Sequence, residues 1–301
     1  MDQKRYVEGL IMGGIAFVLW GLLPLYWKWV SAITPYEIFA QRVIWSFLFV
    51  LILLKWKKAL GTFVTIIKKP ENIIKTILPA FFISLNWMLY IWSVNNGYVI
   101  EASLGYYINP LVLTLLGAIA FKERLTKGQA IGITLATIGV LYKTLTYGKV
   151  PFIALTLAIA FGVYGLLKKK SNLSSLDGLG IETFIIGVPA LIYLLFTEGS
   201  GSGITGNLPG YYWIMISFSG FITAVPLLLY AEGTKRLPLN IVGFLQYIAP
   251  TISLFLGVVV FNETFDLNGL YAFGFIWLGL IVFSREQYLL LKQRQKVEVK
   301  A

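Results

Sequence analysis

Arg42 stands seven residues beyond Pro35 inside an apolar run. At ~1.5 Å per helical residue, that spacing puts it about 10 Å from the start of the run. An ionised side chain at such depth in hydrocarbon costs at least ~2.5–3.5 kcal/mol unless it meets a partner, water or a ligand. Two accounts fit: a fixed ion pair with Glu37 or Glu101, or a contact with the anionic group of a ligand. Glu37 and Gln41 lie four apart and share a helix face, whereas Arg42 shares it only in part, which favours a partner on another helix. Glu101, just ahead of Ser103, opens a later apolar run from the same side, although a helix dipole also accounts for a Glu there. Glu182 occupies the place in the second half that Glu37 holds in the first. The two either gate opposite ends of a passage or sit in solvated helix ends.

Neutral amides add to this set. Asn86, Asn95, Asn109 and Gln246 fall in apolar runs, where an amide needs partners and therefore faces other helices or a cavity. Asn109 precedes Pro110 and Gln246 precedes Pro250 by four residues, so each either satisfies carbonyls freed by the proline or meets a ligand. Trp20, Tyr90, Tyr106, Tyr107, Tyr164 and Tyr247 lie within or at the ends of the runs, several at repeat-related positions. Such rings suit a flat or amphipathic organic substrate, or simply pack the core. With no cysteine and no histidine, imidazole and thiolate chemistry are excluded, and no phosphate-binding GxxxxGK[ST] motif or close carboxylate pair is present. We therefore expect no catalytic residue, metal or cofactor.

The elements that position these residues follow from composition. A 301-residue chain with 57% hydrophobic and 13% charged residues and a mean hydropathy of +0.77 cannot cover itself with polar surface, so lipid is its solvent. Ten apolar runs approach the roughly 20 residues that span a bilayer: 8–30, 35–54, 72–94, 99–121, 127–146, 150–167, 178–197, 211–231, 238–261 and 266–284. The first is too long for a cleaved signal core. With the N-terminus inside, Lys4, Arg5, the lysines of 55–75, Lys122, Arg124, Lys127, Lys168 to Lys170, Lys235, Arg236 and the basic tail after Arg285 all fall on one side. Lys28, Lys143 and Lys149 fall on the other, which puts both termini in the cytoplasm and the chain in the inner membrane. The net charge of +11 is thus a topology signal rather than a nucleic-acid footprint, and the tail anchors to lipid headgroups. On intact cells an impermeant reagent should label Gly199–Gly206 and spare 55–71; the opposite pattern would reverse every inside and outside assignment.

The two halves match each other. Tyr107-Ile108-x-Pro110 aligns with Tyr247-Ile248-x-Pro250, and Phe121-x-Glu123 with Phe261-x-Glu263, at one fixed offset. Nearer the starts, Ile15-Ala16-Phe17 and Gly21-Leu22-Leu23 align with Ile159-Ala160-Phe161 and Gly165-Leu166-Leu167. An odd number of spans per repeat inverts the second against the first, a design that places a substrate cavity between two bundles. We expect repeats over 1–147 and 148–285, a cytoplasmic tail over 286–301, and a cavity lined by spans one, three, four, six, eight and nine. Spans five and ten then pack peripherally or at a homodimer contact. Gly9-x-x-x-Gly13 and Gly128-x-x-x-Gly132 permit close helix approach within or between chains.

The stretch from Asn86 to Gly97, followed by Glu101-Ala102-Ser103-Leu104-Gly105-Tyr106-Tyr107-Ile108-Asn109-Pro110, is long and specific. With Trp20-Gly21, Glu37, Arg42-Val43-Ile44-Trp45-Ser46-Phe47, Glu123-Arg124 and Phe244-x-Gln246-Tyr247-Ile248-x-Pro250-Thr251, it resembles the EamA family of the drug/metabolite transporter superfamily, and its RarD group in particular. The likeness extends over nearly the whole chain. It implies an all-α protein of ten transmembrane helices, five plus five, with both ends in the cytoplasm, that exports metabolites, amino acids or drugs. RarD-type proteins often carry His before the second-span Arg; Gln41 stands here, a departure from that pattern, so a pH-dependent role does not carry over from the resemblance. A secondary transporter of a small organic molecule is therefore expected, the rival being a receptor or scaffold without transport.

Overall fold

Among the described residues every regular element is helical, and the caps show why the helices begin and end where they do. A computed structural model describes residues 3–96, 98–148, 150–260 and 267–298. Helix α1 covers Gln3–Trp29, α2 Pro35–Trp56, α3 Leu60–Ile67, α4 Pro70–Asn95, α5 Val99–Phe121, α6 Lys127–Tyr147 and α7 Phe152–Lys170. Helix α8 covers Ser175–Gly199, α9 Tyr211–Ser217, α10 Ser219–Arg236, α11 Leu239–Gln246 and α12 Ile248–Phe255, the last followed by a π-helical turn over Leu256–Val260; α13 covers Leu267–Glu298. Thr34 Oγ1 accepts the Glu37 N–H to start α2, with Pro35 at the first turn, and Thr126 and Gln129 form a reciprocal capping box at α6. Gly148, at φ +80°, closes α6 in the left-handed conformation that glycine adopts without strain.

Among the described residues, nine helices are long and apolar enough to cross a membrane. They fall on all the expected spans but the fifth, with α9 and α10 together forming the eighth and α11, α12 and the π-turn the ninth. The fifth run is α6, a 21-residue helix diluted by lysine, glutamine and threonine. One feature departs from the sequence reading: the 55–71 connector carries α3, whose Phe63 is buried in the core. The basic segment from 286 continues α13 to Glu298.

Packing follows one pattern. Helix α1 packs on α10 and α12, as α7 packs on α4 and α5; α2 packs on α10, as α8 packs on α4. Helix α2 also meets α8, α5 meets α11, and α6 meets α13. The glycine spacings serve contacts within the chain: a Cβ added at Gly132 would lie 2.8 Å from Gly279 O on α13, and one at Gly9 would lie 2.9 Å from Leu237 Cγ. Helices α6 and α13 thus pack chiefly on each other, at the margin of the bundle.

Candidate functional site

Arg42 projects from the second turn of α2 into a box of aromatic rings. Its guanidinium carbon lies 3.8 Å from the centroid of Trp87 on α4, 5.6 Å from that of Phe39 and 5.9 Å from that of Trp27 on α1. The rings' negative faces favour the cation but accept no conventional hydrogen bond, and among the described residues Nε and Nη2 of Arg42 are buried without an acceptor. The carboxylates expected to meet it are engaged elsewhere. Glu37 Oε1 accepts the Ile204 N–H at 3.1 Å, and Glu101 Oε1 accepts the Ile153 N–H at 2.8 Å. Gln41 accepts the indole N–H of Trp45 at 3.1 Å.

Beside this box the rings of Tyr90 and Tyr106 meet edge to face, centroids 5.4 Å apart. Tyr90 keeps 37% of its surface accessible. Farther in, Trp20 of α1, Phe161 and Tyr164 of α7 and Tyr230 of α10 form one aromatic cluster, Trp20 lying 5.9 Å from Phe161 and 5.5 Å from Tyr230. Tyr247 donates to the Tyr107 carbonyl at 3.3 Å, joining α5 to the α11–α12 segment, and Tyr107 packs edge-on to Phe273.

The amides divide. Asn86 is buried and donates to Leu157 O at 2.9 Å, tying α4 to α7 in this conformation. Among the described residues, Asn109 is buried with both amide atoms unpartnered, and Gln246 is buried with Oε1 unpartnered. The side chains of Asn95 and Ser103 lie outside the described residues, as does Glu263.

Two ionic clusters close the end that adjoins the lysine-rich connectors. Lys168 donates to Glu182 Oε1 at 2.7 Å and Tyr164 to Glu182 Oε2 at 3.2 Å, with both charged side chains only 3% exposed. A cavity of about 370 Å³ between α4, α7 and α8 borders this pair and Lys75. In the second cluster, Glu123 accepts the N–H groups of Leu239 (2.8 Å) and Asn240 (3.1 Å) at the start of α11, and Lys169 Nζ at 3.1 Å. Lys169 also donates to Leu237 O at 2.5 Å. The local chain makes this possible: Lys122, at φ +53°, ends α5 in a left-handed turn that brings Glu123 back over Gly117, where a Cβ would lie 2.6 Å from Glu123 Oε2. Glu123 therefore links the chain segment before residue 148 to two segments after it.

The structure brings Arg42, Tyr90 and Tyr106 to one region and Tyr164 and Glu182 to another. Trp27, Phe39 and Trp87, which frame Arg42, and the buried Lys168 were not legible as site residues. The aromatics gave no distinguishing signal among nine tryptophans, and Lys168 read as one of three connector lysines. The Lys168-to-Glu182 spacing across a short connector was the one usable hint. Among the described residues, no group of three His, Cys, Asp or Glu is placed to hold a metal.

Comparison with known proteins matches the EamA-like transporter family twice, over residues 7–144 and 149–285. The chain is 44% identical to the uncharacterized transporter YojE of Bacillus subtilis, covering 95% of this chain and 97% of that one. It is 38% identical to protein RarD of Escherichia coli, covering 94% and 96%. It is 26% identical to the chloramphenicol-sensitive protein RarD of Pseudomonas aeruginosa, covering 96% and 97%. A solved crystal structure at 19% identity shares the fold with a TM-score of 0.72, covering 94% of this chain and 98% of that one.

Proposed function

This chain belongs to the EamA-like transporter family, and on that premise we propose that it is a secondary transporter that moves a small organic molecule across the inner membrane by alternating access. One observation carries the mechanism: the packing partners of the helices before residue 148 recur among those after it. Three contacts, α2 with α8, α5 with α11 and α6 with α13, join a helix to its counterpart. Two inverted five-helix repeats, with α6 as the fifth span, account for that pattern and for the two family matches. Equivalent helices then meet around a shared axis, and rocking one bundle against the other exposes the aromatic interior to each side in turn. Both termini face the cytoplasm in this reading, so the clusters at Glu182 and Glu123 seal the cytoplasmic end.

The rival, a receptor or scaffold, binds a ligand and moves nothing. A thermal-stabilisation screen of metabolites and amphipathic drugs, chloramphenicol among them, identifies ligands by mass action. Proteoliposomes loaded with a hit should then take up the same labelled compound by counterflow. Saturable binding with no counterflow would favour the receptor.

A further inference from the structure

We propose that Arg42 receives the carboxylate of an organic anion whose flat apolar body lies against Trp87, Tyr90 and Tyr106, an assignment that rests on the transporter reading for its role but not for its geometry. The two guanidinium nitrogens without acceptors, Nε and Nη2, present parallel N–H groups on one edge, the edge that fits the two oxygens of a carboxylate. Trp87, 3.8 Å away, covers the face of the guanidinium, and in this conformation Nε and Nη2 are shut away from solvent, so a ligand reaches that edge only when the surrounding helices part. A buried, ionised fork with no anionic partner is unfavourable in an apolar site. A carboxylate arriving with its own apolar body corrects that deficit. The structure already commits the nearest expected internal anions: Glu37 Oε1 to Ile204 and Glu101 Oε1 to Ile153.

The surroundings set the rest of the ligand. Tyr106 lies close enough to Arg42 for the two to interact electrostatically, and Tyr90 meets Tyr106 edge to face. Tyr90 and Arg42 both retain accessible surface. A ring or other planar body stacked there gains apolar contact, whereas a small hydrophilic anion gains little.

Calorimetry on the purified full-length protein in neutral detergent tests this with benzoate, indole-3-acetate, the neutral amides benzamide and indole-3-acetamide, and acetate. At least one aromatic carboxylate should bind at least ~10-fold more tightly than its amide and than acetate. Arg42→Lys retains the charge but loses the fork, and should weaken that binding by ~10-fold or more while the melting temperature of the unliganded protein changes little. Equal affinity for acid and amide, no binding by any acid, or unchanged affinity in Arg42→Lys would each overturn the proposal. So would full occupancy by phosphatidylglycerol that blocks the acids, which would assign the fork to lipid. Aromatic acid that binds at Arg42 but fails to cross proteoliposomes refutes transport and leaves the site standing. Counterflow of a neutral compound insensitive to Arg42→Lys does the reverse.

Discussion

Lys168→Ala should lower the unfolding free energy by about 3–5 kcal/mol, the largest single effect expected in this protein. The ammonium and the Glu182 carboxylate lie 2.7 Å apart with side chains only 3% exposed, so truncating the lysine leaves a buried carboxylate without its cation at the edge of the cavity between α4, α7 and α8. The Tyr164 hydroxyl, at 3.2 Å, cannot neutralise it. Glu182→Gln strands the ammonium in the same way. The combined Lys168→Met and Glu182→Gln replacement removes both charges with similar side-chain volumes, and should recover most of the loss because an apolar substitute for a buried pair is near neutral. Tryptophan-fluorescence melting of the wild type, Lys168→Met, Glu182→Gln and the double variant reads the cycle, with Lys168→Ala measured beside them. Single variants that melt with the wild type, or a double variant whose loss is the sum of the two, would show that the pair is not sealed.

Glu123→Ala should open the same end of the molecule. The carboxylate holds two backbone N–H groups of α11 and the Lys169 ammonium, and hydrogen bonds to a charged group contribute about 1.5–3 kcal/mol each. On the alternating-access proposal these bonds, which link opposite halves, break when the end opens, so their loss should shift the closed-to-open equilibrium by roughly tenfold or more. The chain has no cysteine, so one introduced at Asn240, which is buried beside the latch, is a unique reporter. A maleimide should modify it at least ~10-fold faster in the Glu123→Ala background. Lys169→Met, which leaves the two backbone bonds, should give a smaller increase. Equal rates in all three backgrounds would remove Glu123 from any gating role.

These residues mark how far the sequence reads. Membrane residence, nine of the expected spans and the family resemblance depend on composition, run length and local motifs, which are properties of neighbours along the chain. The capping signals at Thr34 and Thr126 are local in the same sense, and the helices begin where those residues direct. The place of Arg42, seven residues into α2, was legible too, because Pro35 marks the helix start. Its surroundings were not: which of nine tryptophans faces it depends on the rotation and crossing of α1, α2 and α4, to which helical periodicity in an all-apolar span gives no phase. Glu182 shows the same division. Its sequence position at a helix end was compatible with solvation, and the tertiary structure buries it against Lys168, since a connector of a few residues lets two distant side chains meet inside the bundle. The sequence by itself determined the solvent, the helices and the family. The tertiary structure alone decided which charges find partners, because pairing in a low-dielectric interior is a property of helices packed together.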